Sequence, residues 1–575
     1  MLVARPTGRL SAASPKPETI TQVLVAGTVA LCCVAPLLTS LSRSGQAPRE
    51  AYLIFERLFF FNDYAGSLAM LVALVVALAL PKVQQAVIGL ATWVGEHPGA
   101  TIAAAFVTLA ACSRFVYMAH PLSMDEYAPW MQAHAFAQGH LAAHYPPQLL
   151  DAIVPKEFQG YFIGVNHSTG EAASKYWPGL ALMLAPFVWL DLGWCLNPAF
   201  GALALAMIYK LASEATGQRV AGGWAMLAAL ASPQFTVNAI SLYAMPGELA
   251  LNLLFLWLLL RPSAKSAFAA GLVGGLALAM HNPVPHALMA APALVWLAWD
   301  RQRWPWLAAA LAGYVPPAAI LLLGWVSYLS GVEAAVARTG APAAHHGLLD
   351  VVSYFFGSVL MVPTDDMVLA RWYATWKVWI WGCPGLLFVL FIPRSKGIAE
   401  RLLLAAFATT FLFFLFVRFD QGHGWGYRYI HTAWAALPVA AGIWLATARD
   451  ASRKWGATMI AAGLLATPVF MWQTHQTIAE TLSWRLSPPA TGEWVVFVAE
   501  DTGRYRGDLV QNASDRTGRL HLVSRGEAED NALMARQFPG AVRLERDRRG
   551  SLWRLPEGML AEKLRAMSVR AAGAR

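Results

Sequence analysis

Four polar clusters interrupt a chain of 575 residues that is 57% hydrophobic and only 13% charged. Asp125 and Glu126 follow an apolar run. A carboxylate there suits a general base for a hydroxyl, or a metal ligand. The same pair also suits the first turn of a helix, where acids complement the macrodipole. Glu171 and Lys175 stand four apart in Thr169-Gly170-Glu171-Ala172-Ala173-Ser174-Lys175. They either pair on one helical turn, or Lys175 meets a phosphate while Glu171 completes an acidic site. His281-Asn282-Pro283-Val284-Pro285-His286 divides two apolar runs, and its prolines break the helix. Histidines five apart with prolines between are poorly spaced for a metal, which leaves hydrogen bonds to a phosphate or a plain turn. The richest segment is Arg418 to Tyr429. Its three glycines permit close backbone approach, and Arg428, between Tyr427 and Tyr429, enters an apolar helix. An arginine is costly there and marks a functional site by default. Its planar fork suits a phosphate, and snorkelling to headgroups is the plainer reading.

The elements that position these residues belong to a membrane protein. A soluble chain is roughly a quarter charged, and 24 Trp, 27 Phe and 16 Tyr fit interfacial aromatic belts. Disorder, a collagen-like repeat and a disulfide scaffold are excluded. Cys32, Cys33, Cys112, Cys195 and Cys383 read as small buried hydrophobes, with no pair at metal spacing. About thirteen apolar runs approach bilayer length: 21–42, 64–80, 99–118, 197–213, 220–238, 245–260, 266–280, 284–299, 305–328, 374–392, 402–417, 429–447 and 456–473. With a cytoplasmic N-terminus, alternate loops bearing Lys82, Lys210, Arg261, Arg301, Arg394 and Arg449 fall inside, so the +9 net charge is topological and no nucleic-acid partner is implied. The loop 119–197, the loop near 329–371 and the tail then lie outside.

Three domains follow: extra N-terminal spans over 1–98, a membrane body over 99–475, and a soluble α/β tail over 476–575. From Glu480 onward there are 16 Lys/Arg and 13 Asp/Glu. In the first outer loop, Trp130, Ala133, Phe136, Ala137 and Leu141 recur at helical spacing, predicting a surface helix with its apolar side toward the membrane. Tyr176 to Leu190 reads as an interfacial or re-entrant helix. In the tail, Trp494–Val498 and Leu520–Val523 read as strands, 541–544 and 551–555 as a hairpin, and 531–538 as a short helix. No internal repeat is evident.

The order of these features resembles the GT-C glycosyltransferases, in their dolichyl-phosphate-mannose mannosyltransferase-like and aminoarabinose-transferase-like bacterial branch. Asp125-Glu126-Tyr127-Ala128 follows an early span, a surface helix ends in Gly139-His140-Leu141, and Gly426-Tyr427-Arg428-Tyr429 opens a late span. The resemblance covers roughly residues 99–475. It implies a polyprenyl-phosphate-linked sugar donor and a lipid, glycan or protein acceptor, used at the periplasmic face of a bacterial inner membrane. It places catalysis on Asp125, with Glu126 beside it. It places the donor phosphate on Arg428 and Lys175, with His281 and Tyr427, supported by Glu171, Asn282, His286 and Tyr429. The family's adjacent Glu-Lys is spread here over Glu171 and Lys175, and His281-Asn282 stands where Lys-Gly is frequent. No cofactor is required by these residues, and a divalent metal is left open. A transporter or flippase for lipid-linked glycans is the rival class; it calls for mid-membrane charges and paired halves. A scaffold whose tail binds a partner is the third.

Overall fold

The structure, a computed structural model, describes residues 63–337, 359–392, 397–418, 423–499, 506–512 and 518–560, with isolated positions elsewhere. The expected span 21–42, Cys32, Cys33 and Arg394 lie outside these segments. The protein is a helical membrane body joined to a small α/β domain. Among the described residues, five helices are long and apolar enough to cross a membrane, or seven if two sharply bent pairs each count as one span. Helix length alone therefore does not yield thirteen spans, and five more apolar helices have only 10–17 residues.

Proline accounts for most of the difference. Helices α1 (Asp63–Ala79) and α2 (Pro81–Glu96) meet at 95°, because Pro81 has no N–H to give the preceding turn. The run 220–238 splits into Arg219–Leu230 and Pro233–Ile240. Ser232, the residue before Pro233, is extended, as the proline ring requires. After Pro316-Pro317 the helix loosens into a π segment, Ala318–Gly324, before continuing as Trp325–Ala337. The 34-residue helix Asp450–Ser483 is about 50 Å long. It continues past residue 475, where the tail was expected to begin.

Small residues bring the helices together. A Cβ at Gly271 would lie 2.0 Å from Ala310 O, and one at Gly313 2.2 Å from Phe268 O. These two glycines let the backbones of Ala264–Leu278 and Trp304–Pro317 touch, the kind of contact that substitutes for hydrophobic drive inside lipid. The apolar helix from Arg301 to Glu333 is only 11% buried against the rest of the protein, so it sits at the outside of the bundle.

The first outer loop is folded. Helix α3 (Pro98–Phe115) leads through 116–123 into α4 (Met124–Ala137). A three-stranded antiparallel sheet follows, made of β1 (Ala143–His144), β2 (Ile163–Val165) and β3 (Glu171–Ser174), in the order β1-β3-β2. Two expectations change here. Helix α4 does not lie open on a membrane surface: Glu126, Tyr127, Ala128, Met131, Gln132 and Ala133 are all buried. Glu171 and Ser174 bound a strand instead of a helical turn. The Asn166 carboxamide accepts from Ser168 N and Thr169 N, and Gly170 has φ +78°, so the chain turns back along β2. The loop's apolar helix begins only at Gly179 and has 11 residues, about half of what a span needs.

The tail agrees with the strand pattern read from the sequence. The strands β6 (Trp494–Val498), β7 (Arg519–Val523), β8 (Val542–Asp547) and β9 (Gly550–Arg554) form a sheet in the order β7-β6-β9-β8, β6 and β7 being parallel. The short hairpin of β4 (His423–Gly424) and β5 (Gly426–Tyr427) delivers Arg428.

Candidate functional site

Asp125 sits in the first turn of α4 and Arg428 directly after β5, 303 positions later in the chain, yet Arg428 Nη2 donates to Asp125 Oδ2 at 2.6 Å. The Tyr176 hydroxyl donates to the other carboxylate oxygen at 2.5 Å. The Tyr176 ring stacks on His281 (centroids 4.4 Å apart), and the Arg428 guanidinium lies 4.6 Å over the Tyr243 ring. Burial pushes the Asp125 carboxyl up, but Arg428 and the Tyr176 hydroxyl outweigh it and hold it below the ordinary range. Burial drives His281 down to about 4. His281 is therefore neutral at pH 7. Asn282 donates to His281 Nδ1 and caps the next helix by accepting from Val284 N.

Glu126 points elsewhere. Its carboxylate accepts from Tyr117 Oη (2.8 Å), Leu122 N (2.5 Å) and Leu242 N (2.8 Å). Trp425 Nε1, from the Arg428 hairpin, donates to that same Tyr117 hydroxyl. Glu126 thus ties the helix that bears Asp125 to the hairpin that bears Arg428, and its own oxygens are committed to protein donors. Burial raises its pKa to about 7 despite those donors. The unfolded value is near 4.5, so folding favours the protonated form. This contribution is full below about pH 4.5 and fades as pH rises through 7. Because Glu126→Gln removes this loss, thermal unfolding in detergent at pH 5 and pH 8 is expected to show a slope of stability with pH that is more positive in Glu126→Gln than in wild type. A slope unchanged by Glu126→Gln would refute the assignment.

The hairpin is held by residues the sequence did not single out. Gln234 clasps Tyr427 at both ends, accepting from its N–H (2.9 Å) and donating to its carbonyl (3.2 Å). Gly426 has φ +74°, and a Cβ there would sit 1.7 Å from Gln234 Oε1, so no other residue fits. Asn238 donates to Trp425 O, and Tyr429 stacks on Phe414. Below the hairpin, Lys377 Nζ donates to Gly424 O (2.9 Å) and pairs with Asp63 (2.9 Å), which also accepts from Trp381 Nε1 (2.6 Å). Both ionic side chains are fully buried. Removing one partner of such a pair costs about 3–5 kcal/mol. Lys377→Met is therefore expected to destabilise the protein strongly, and Asp63→Asn combined with Lys377→Met less than either alone, as read by thermal unfolding.

Three expected site residues are engaged away from Asp125. Lys175 pairs with Glu333 at 2.7 Å instead of Glu171. Glu171, on β3, faces His144 across the strand pair at 3.6 Å and accepts from Thr169 Oγ1. His286 lies inside the bundle, bonded to Asn252 Oδ1 and the Tyr314 hydroxyl. Among the described residues, no group of three or more His, Cys, Asp or Glu is placed to hold a metal ion.

No family model and no curated protein matches this sequence. Among solved structures, the chain is similar to ArnT from Cupriavidus metallidurans. Against the apo state the TM-score is 0.48 at 14% identity, over 80% of this chain and 99% of that one. Against the form bound to undecaprenyl phosphate it is 0.45 at 13%, over 79% and 98%.

Proposed function

We propose that this protein is a membrane glycosyltransferase that moves a sugar from a polyprenyl-phosphate-linked donor to a hydroxyl acceptor. We place it in a bacterial inner membrane, with its site and tail on the periplasmic side. The observation that supports this most is the buried Asp125–Arg428 pair, formed by the two motifs on which the sequence resemblance rests. A lipid-linked sugar phosphate is apolar at one end and anionic at the other. Its reacting carbon belongs where apolar helices give way to a polar pocket.

In the ligand-free protein Arg428 neutralises Asp125. An arriving phosphate competes for the guanidinium, and a carboxylate relieved of its cation is a stronger base. Asp125 then takes the proton of the acceptor hydroxyl as that oxygen bonds to sugar C1. The bond from C1 to the phosphate oxygen breaks, and its electron pair leaves on the polyprenyl phosphate. Arg428 stabilises that growing charge in a poorly hydrated site. A single displacement inverts the anomeric centre. Lys175 reaches the phosphate only by leaving Glu333, so Arg428 is the principal phosphate ligand in this reading.

The test is transfer by the purified full-length protein in lipid nanodiscs, from a panel of polyprenyl-phosphate hexoses and pentoses, with free polyprenyl phosphate followed by mass spectrometry. Release that depends on acceptor, with inversion at C1, is expected. Movement of intact donor across vesicles without cleavage would support the transport alternative instead.

A further inference from the structure

The soluble tail is not a separate body in space. Val495, Phe497, Leu520, Leu522, Met534 and Phe538 of the tail share one continuous core with residues of the first outer loop, among them Met124, Tyr127 and Tyr145. Polar contacts concentrate on a single tail segment, 508–512, and on the start of α4. Gln511 Nε2 donates to Pro121 O at 2.7 Å, just ahead of the helix. The same Gln511 amide also donates to the Asp508 carbonyl at 2.7 Å. The Tyr127 hydroxyl, two residues beyond Asp125, accepts from Asn512 N (2.8 Å) and donates to Asn512 O (3.1 Å). Tyr145 donates to the same carbonyl at 3.1 Å. The segment is itself fixed to β7: the Asn512 carboxamide bonds both backbone groups of His521, and His521 Nδ1 donates to Gln511 O.

These contacts bracket Asp125. They hold the carbonyl four residues before it and the side chain two residues after it, both from one segment. Asp125 Oδ2 reaches Arg428 at 2.6 Å and Oδ1 reaches Tyr176. A small rotation of the first turn of α4 would break both. Nothing from 508–512 is needed merely to close the helix, because Glu126 N and Tyr127 N already bond Ser123 O.

We propose that the 508–512 segment of the tail acts as a clamp on the first turn of α4, making Gln511 and Tyr127 positioning residues for Asp125. This rests on the proposed role of Asp125 as base. The clamp acts on the acceptor side of the reaction. The hairpin that bears Arg428 has its own supports, Gln234 on Tyr427 and Lys377 on Gly424, so loosening the clamp is expected to lower turnover far more than the donor's hold. A displacement of about 1 Å at a reacting group costs up to about 100-fold.

The experiment uses the full-length protein in nanodiscs, with the polyprenyl-phosphate hexose or pentose turned over best in the donor panel. Gln511→Ala removes the bond to Pro121, and Tyr127→Phe, a gentler change, removes only the hydroxyl. Each is expected to lower kcat by about 10-fold or more with donor KM within about twofold and the folded fraction unchanged. In an Asp125→Asn background, Gln511→Ala is expected to leave the residual rate unchanged, because no base remains to be misplaced. Wild-type kcat in both folded single variants would overturn the clamp. So would a further multiplicative loss in the Asp125→Asn background, which is the mark of a general structural defect. Full activity of Asp125→Asn itself would instead overturn the reading of the site, so the two failures are distinguishable.

Discussion

Asp125→Asn is expected to reduce kcat for sugar transfer by about 10²–10⁴-fold, the usual worth of a positioned general base. The substitution is nearly isosteric, and the Asn carbonyl still accepts from Tyr176. What disappears is the proton acceptor and the negative charge facing Arg428. The guanidinium then meets a donor phosphate without competition. Donor KM is therefore expected to stay level or fall while kcat collapses. That pairing separates loss of the base from loss of the pocket, since a disrupted pocket raises KM. Steady-state kinetics at varied donor concentration, on protein shown to be folded, provide the check. Wild-type kcat would remove Asp125 from the chemistry.

Arg428→Ala is expected to cost about 10²–10³-fold in kcat, the range for removing one strong donor from a developing anion, and to raise donor KM as well. It also carries a pH signature. Arg428 is the chief group holding the Asp125 carboxyl below its ordinary range, against the upward push of burial. Without Arg428 only His281 and the Tyr176 hydroxyl oppose burial, so the carboxyl moves up. A base works only when deprotonated, so the acid limb of the rate profile is expected to shift toward higher pH. Arg428→Lys restores a charge without the planar fork and is expected to recover part of kcat and most of the normal acid limb. An acid limb in the same place for wild type and Arg428→Ala would show that Asp125 is not the group titrating.

How much of this was legible in the sequence depended on the range of the contact. The tail strands Trp494–Val498 and Arg519–Val523 were readable because alternation and bounding turns are local. The apolar runs were readable for the same reason, although composition could not show where Pro81 and Pro233 would bend them. The spacing of Glu171 and Lys175 misled, because four residues suit a helical turn and the strand was dictated by a turn at Asn166 and Gly170 that the pattern ranks low. Lys377, a lone charge inside the apolar run 374–392, carried the same signal as Arg428, whereas Gln234, Asn238 and Tyr176 carried none. Each is an ordinary residue in an apolar or aromatic run. Each acquires meaning from a partner across the fold, as in the bonds from Gln234 to Tyr427 and from Asn238 to Trp425. The 508–512 segment was invisible for the same reason, since its partners in α4 lie nearly four hundred positions earlier.

The buried bond between Asp63 and Lys377 also sets a schedule for assembly. Asp63 emerges from the ribosome about 300 residues before its cation exists, which at about 5–20 residues per second is on the order of 15–60 s. Through that interval Asp63 lacks the counter-ion that it has in the finished fold. A nascent chain that stalls before residue 377 leaves that acid uncovered, a mark by which quality control could tell an unfinished molecule from a finished one.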